Sequence, residues 1–224
     1  MIENAAQHTI GWYRARHGNI TGSNVGLLMK KGRSNVFSDT GMSYIYQVAA
    51  ERAMNPAIVN DDELFSEYLQ QVEVTSKAMR WGNEQEANAR DLYSKITGQH
   101  VVEVGSCKHP YIPHFASSPD GFCYDENTGV KSCLEIKCPN MATFMRYRSE
   151  IYDGESLLNV KPEYFYQCIA HMACTEAQET YFVAYNPFQS DPIHIVRILP
   201  DENAVIEMER RIRLANDIIN QIIN

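Results

Sequence analysis

The sequence predicts an α/β domain with a central mixed β-sheet flanked by helices. Segments near residues 76–97 and 202–222 repeat apolar side chains at the 3.6-residue period of a helix. Between them lie short, partly β-branched stretches bounded by turn residues, which is the pattern of strands. Helices come first, and strands with further helices among them follow, as a sheet covered by helices requires. A length of 224 residues suits one domain, residues 1–224, with a single core.

The elements follow in order. Trp12 to Arg16 reads as a short helix, and Ser23 to Lys31 as a second with Thr21 or Ser23 as N-cap. A third runs from about Gly41 to Ala53. Residues 54–75 form an acidic connection with a short helix around Leu64 to Leu69. The strongest helix runs from Ser76 to Thr97 and stops at Gly98. Ala78, Trp81, Gly82, Ala89, Leu92 and Ile96 share its apolar stripe, with Glu86 on the shoulder beside Tyr93, about 80° from the stripe centre. Strands are expected at His100–Ser106, Ile112–Ser117 and Lys131–Lys137. Helices at Met141–Arg148 and Glu163–Cys174 precede strands at Thr180–Tyr185 and His194–Ile198, and an amphipathic helix, Glu202–Ile222, closes the chain.

Composition excludes several classes. With 44% hydrophobic and 21% charged residues the chain is ordinary for a globular protein. No apolar run approaches the ~20 residues of a membrane span, and mean hydropathy is −0.37. The first eight residues lack the basic start and apolar core of a secretory signal, so an intracellular, cytoplasmic protein is expected. The six cysteines include no Cys-x-x-Cys pair, so buried free thiols are expected in place of zinc ligands or disulfides. Net charge is −8, against coating nucleic acid by bulk attraction. Residues 1–50 nevertheless hold five basic side chains (Arg14, Arg16, Lys30, Lys31, Arg33) against Glu3 and Asp39. That is +3, with −11 left for the remainder. A local phosphate site suits this distribution better than a broad groove.

The chemistry concentrates in Ser118-Pro119-Asp120-Gly121 and Leu134-Glu135-Ile136-Lys137-Cys138-Pro139, separated by the turn-forming Asp125-Glu126-Asn127-Thr128-Gly129. A hairpin centred between Asn127 and Thr128 sets Asp120 opposite Glu135. Cross-strand Cβ atoms lie about 5 Å apart, close enough for two carboxylates to share a divalent cation. The two-residue period of a strand puts Lys137 on the face of Glu135. Two acids so close repel unless a hard cation lies between them, and Mg²⁺ commonly takes one or two carboxylates with waters and substrate phosphate. Lys137 would orient or deprotonate the attacking water, or neutralise charge at phosphorus. A lone Glu-x-Lys would be an ordinary solvated strand face; the Pro-Asp-Gly across the turn changes its meaning.

Pro119-Asp120 with Glu135-Ile136-Lys137 resembles the PD-(D/E)xK nuclease core. The fuller text resembles the lambda exonuclease family among YqaJ-like viral recombinases. Trp12-Tyr13-Arg14-Ala15-Arg16, Ile20-Thr21-Gly22-Ser23, Trp81-Gly82-Asn83-Glu84-Gln85-Glu86, the two segments above, Tyr164-Phe165-Tyr166-Gln167 and Ala184-Tyr185-Asn186-Pro187 stand in that family's order. The resemblance implies that Asp120, Glu135 and the Ile136 carbonyl ligate Mg²⁺, with Mn²⁺ able to substitute. It implies that Glu86 completes the metal site, that Lys137 is the catalytic lysine, and that Gln167 orients water or phosphate. Arg16, Ser23 and Ser118 would receive a 5′-terminal phosphate, with Arg33 near the DNA end. A guanidinium fork with hydroxyl donors is chemically suited to phosphate. The implied protein is a 5′-to-3′ exonuclease acting on double-stranded DNA ends to leave 3′ overhangs. It would be a ring-shaped homotrimer, phage or prophage encoded, and partnered by a single-strand-annealing recombinase. A restriction- or repair-type endonuclease on the same core, and a non-catalytic DNA-binding accessory protein, are the competing readings.

Overall fold

The structure is a computed structural model and describes residues 6–32, 36–72 and 76–224. The chain opens with α1 (Ile10–Arg16), β1 (Ile20–Thr21), α2 (Val25–Met29) and α3 (Asp39–Arg52). Then come α4 (Pro56–Asn60), α5 (Asp62–Val72) and α6 (Lys77–Thr97). Strands β2 (Cys107–Lys108), β3 (Phe115–Ser117), β4 (Gly121–Tyr124) and β5 (Lys131–Lys137) follow, then α7 (Met141–Glu150), α8 (Gly154–Val160) and α9 (Pro162–Thr175). Strands β6 (Glu179–Tyr185) and β7 (Ile193–Ile198) and helix α10 (Glu202–Ile223) complete it.

The strands form two mixed sheets, of order β1-β3-β2 and β4-β5-β6-β7. Strand β1 runs parallel to β3 and β2 antiparallel to it. In the larger sheet β5 pairs antiparallel with β4 and parallel with β6, and β7 closes antiparallel on β6. The chain crosses from the small sheet to the large one through Ser118-Pro119-Asp120. Helices cover both faces of the large sheet. Ala89 and Tyr93 of α6 pack with Leu134, Ile136 and Val183 on one side. On the other, Cys133 and Phe182 join the main core with Phe144, Cys168, Ile169 and Met208. A strand buried on both faces tolerates a continuous apolar run, which is why β5 reads Cys-Leu-Glu-Ile without alternation.

Several expected elements shift. His100–Ser106 is no strand; it contributes one bridge, Val102 to Phe122. Its β-branched pattern is spent on a single contact at the sheet edge. Ile112 is buried, yet β3 begins only at Phe115, after the left-handed His114. Residues 54–72 hold two helices where one short one was expected, because Pro56 sits in the first turn of α4 and Asn55 caps it. Residues 154–160, without a helical reading in the sequence, form α8 behind an Asp153–Ser156 capping box. Ser76 caps α6 through the Met79 amide, and Gly98 ends it at φ 74°, as its sequence indicates. The six cysteines are all free thiols, five of them buried.

Candidate active site

The β4–β5 hairpin has the expected register. Gly121 faces Leu134 and Tyr124 faces Lys131, so one residue further Asp120 stands opposite Glu135. The Asp120 amide donates to the Leu134 carbonyl at 2.9 Å. In return Asp120 Oδ2 accepts from the Ile136 amide at 2.6 Å. These bonds pin the acid to the strand end.

Glu135 is fully buried. Its Oε1 forms an ion pair with Lys137 Nζ but makes no hydrogen bond of ordinary geometry. Its Oε2 accepts from His171 Nε2 at 2.6 Å. Burial alone would raise the Glu135 pKa, but the Lys137 ammonium and His171 outweigh it and hold the carboxyl below its usual range. Burial likewise disfavours charge on Lys137, yet Glu135 and Asp120 overcome it and hold the ammonium well above its usual value. Lys137 is thus held as a cation among these acids, its charge lying 5.0 Å from the Tyr164 ring centroid.

The other two acids are crowded. Burial, then Glu135, pushes Asp120 up to about 6. Burial, then Asp120, pushes Glu86 up to about 8. The apolar stripe of α6 is rotated toward Glu86 from its expected position. Ala89 and Tyr93 are its buried residues, whereas Ala78 and Ile96 are exposed. The sheet sets this rotation, since it meets α6 along the Glu86–Ala89–Tyr93 line. Arg90, one turn from Glu86, is no simple surface partner to it, at 4.0 Å. It donates to the Asp120 carbonyl at 2.9 Å and to Glu103 at 3.2 Å, clamping α6 onto the segment that carries Asp120.

Among the described residues, no three His, Cys, Asp or Glu side chains are gathered closely enough to cage a metal ion. A hard cation needs less, since one or two carboxylates with waters suffice for Mg²⁺. Burial and neighbouring carboxylates that push Asp120 and Glu86 up, and a buried Glu135 Oε1 held, among the described residues, only by the Lys137 ammonium, fit such an ion.

Beside the acids lies a second cluster. Arg16 Nη1 donates to Ser118 Oγ at 3.2 Å and Nη2 to Ser23 Oγ at 3.1 Å. The Trp12 indole donates to the same Ser118 oxygen at 3.2 Å, and its ring lies 4.3 Å under the guanidinium carbon. Burial pulls the Arg16 pKa down from its usual value, while charged neighbours that include Asp120 and Glu51 oppose the shift. Asp120 therefore feels both clusters. Ser23 does not cap α2, whose N-cap is Asn24 without a side-chain bond; its hydroxyl is turned to Arg16 and Thr21 instead.

The structure thus gathers Asp120, Glu135, Ile136, Lys137 and Glu86 at one end of β5, with Arg16, Ser23 and Ser118 alongside. Gln167 is buried on α9, one turn before His171 and on the same helix face. Arg33 lies outside the described residues. His171 escaped the sequence reading, and Arg90 could be read there only as an i,i+4 surface partner of Glu86. Their spacing on α9 and α6 carries no motif, and only the folded arrangement brings them to Glu135 and Asp120.

The profile of the YqaJ-like viral recombinase domain matches residues 11–178. The chain belongs to the YqaJ-like viral recombinase family. The matched span takes in every residue of both clusters and stops where β6 begins. Among solved structures, this YqaJ-like chain is 29% identical to an alkaline exonuclease, LHK-Exo, from Laribacter hongkongensis. The match covers 96% of this chain and 94% of that one, with a TM-score of 0.74. LHK-Exo in complex with dAMP gives the same identity and coverage and a TM-score of 0.75. A phage-related exonuclease from Haemophilus somnus 129PT shares the fold at 14% identity, over 92% of this chain and 96% of that one, with a TM-score of 0.66. The comparison with curated proteins gives no match.

Proposed function

We propose that this protein is a phage-type DNA exonuclease that hydrolyses duplex ends from 5′ to 3′ with Mg²⁺, leaving 3′ overhangs. One observation carries the reading: a carboxylate–lysine cluster (Asp120, Glu135, Lys137) lies beside an Arg16–Ser23–Ser118 cluster whose guanidinium and hydroxyls would suit a phosphate. Membership of the YqaJ-like family and the likeness to alkaline exonucleases support it. So does the relative solved with dAMP, a deoxynucleoside monophosphate.

Asp120, Glu135 and the Ile136 carbonyl would hold the ion, with Glu86 beside them. The chemistry such an ion supplies is charge neutralisation at a phosphoryl oxygen and a more acidic water. The protein's own groups do the rest. Arg16 presents two guanidinium nitrogens, and Ser23 and Ser118 add hydroxyls, so a terminal 5′-phosphate is gripped from several sides. Gripping the terminus sets the adjoining phosphodiester against the acids. Lys137, held as an ammonium, stabilises negative charge as it builds on the phosphoryl group. Gln167 offers an amide to orient the water. Each cleavage leaves a new 5′-phosphate, which re-enters the same pocket.

The test uses end-labelled linear duplex with Mg²⁺, with and without a 5′-phosphate, next to covalently closed circles. Mononucleotide release from phosphorylated ends, slow attack on hydroxyl ends and intact circles are expected. Cleaved circles would make the protein an endonuclease, and undiminished hydrolysis by Lys137→Ala would remove the catalytic reading.

A further inference from the structure

His171 lies outside the acid–lysine pattern, yet it occupies the joint between the two clusters. It is fully buried on α9. Its Nε2 donates to Glu135 Oε2 at 2.6 Å, and its Nδ1 is hydrogen-bonded to Ser117 Oγ at 2.7 Å. Ser117 ends β3 and directly precedes Ser118. A Cβ added at Gly22, in the turn that carries Ser23, would lie 2.0 Å from Ser117 Oγ. A single imidazole thus spans the small sheet, which carries the phosphate cluster, and the large sheet, which carries the carboxylates.

From this geometry we infer that His171 is a positioning residue. It fixes the Glu135 carboxylate through Oε2, so that Oε1 would be the oxygen offered to a bound ion, and it anchors that lock on Ser117 at the wall of the proposed 5′-phosphate pocket. The inference rests on the nuclease reading above and deepens it. The bond to Oε2 removes one of the carboxylate's two rotational choices, leaving Oε1, whose one partner among the described residues is the Lys137 ammonium, as the oxygen that would meet a cation. Groups that hold a ligating side chain in place typically change metal affinity 10–100-fold when removed. Ser117 bears on the same imidazole from the opposite nitrogen, so its hydroxyl governs how firmly the ring is held.

The experiment measures Mn²⁺ binding by electron paramagnetic resonance, without DNA, for the unsubstituted chain and for His171→Ala, His171→Gln and Ser117→Ala. Thermal melting confirms that each variant is folded. His171→Ala is expected to bind Mn²⁺ at least about tenfold more weakly. His171→Gln, whose amide can still donate to Glu135, recovers part of the loss, and Ser117→Ala falls between. On phosphorylated duplex, kcat drops in the same order while KM moves little, because Arg16, Ser23 and Ser118 are untouched. Should His171→Ala fail to fold, His171→Gln and Ser117→Ala decide: parent-like Mn²⁺ affinity in both overturns the assignment. Parent-like affinity in a folded His171→Ala overturns it as well, with the nuclease reading intact. No Mn²⁺ binding by the unsubstituted chain overturns both.

Discussion

Glu86 and Asp120 hold protons more tightly in the fold than in the unfolded chain, at about 8 and about 6. Their ordinary values lie near 4. Between these limits the two carboxyls hold more protons in the folded, metal-free protein than in the unfolded chain, so the stability they contribute falls as pH rises. His109 and His114, lowered by burial, act in the opposite direction below the histidine range. The melting temperature of chelator-treated protein should therefore decline from about pH 7 to about pH 8, above the ordinary histidine range, where Glu86, alone of the two carboxyls, still titrates. Mg²⁺ should restore it most at the upper end, and Glu86→Gln should flatten the decline. A melting temperature independent of pH and metal would contradict this crowding of acids. Arg16 supplies a second prediction at the same scale. Its two bonds to Ser118 and Ser23 match a phosphate fork, so Arg16→Ala should slow phosphorylated ends by at least about tenfold, one charge-assisted hydrogen bond contributing roughly 1.5–3 kcal/mol. Hydroxyl ends should change far less. Equal losses on both substrates would remove Arg16 from the phosphate pocket. Asp120, Glu135 and Lys137 were legible because strand register and period place them. Glu86 was legible only at the edge of a stripe, because the side of α6 that meets the sheet is decided by the sheet.

At the scale of elements, the turn from β1 to α2 is the tightest passage of the site. The Gly22 amide donates to the Ala116 carbonyl at 2.9 Å, and a methyl at Gly22 would collide with Ser117 Oγ and touch Ala170. Gly22→Ala should cost about 1–3 kcal/mol, the usual penalty of overpacking, read as a lower denaturation midpoint. It should also weaken discrimination between phosphorylated and hydroxyl ends, since the turn that carries Ser23 must move. A variant with parent stability would show that the turn has slack. The hairpin of β4 and β5 was readable to the residue because its turn chemistry and its two-residue period act locally. His100–Ser106 misled for the opposite reason: β-branched residues favour extended backbone, but pairing needs a partner edge, and here only Val102 finds one. Ser23 similarly has the composition of a helix cap but serves Arg16, a partner seven residues away.

Over the whole molecule, the acidic balance of −8 sits beside a site proposed to take a polyanion. Among the described residues the site sets two cations close by: Arg16 in the proposed phosphate cluster and Lys137 among the acids. Among the described residues no helix is long and apolar enough to cross a membrane. A homotrimeric ring, as proposed from the family resemblance, would keep DNA bound by enclosure and not by bulk attraction. Light scattering of the full chain should then report three times 25.6 kDa, and a monomer at all concentrations would remove the ring. A single-strand-annealing recombinase remains the proposed recipient of the 3′ overhang.

By itself the amino-acid order determined the long helices, strands β5 to β7, the hairpin register and the acid–lysine trio, because each rests on periodicity, turn residues or capping within a few positions. Tertiary structure alone decided that β3 and β4 belong to different sheets and that α6 turns Glu86 inward. It alone set Arg90 on the Asp120 carbonyl and His171 between Glu135 and Ser117. Those contacts join residues 30, 36 and 54 positions apart, and only packing the helices on the sheets closes such distances.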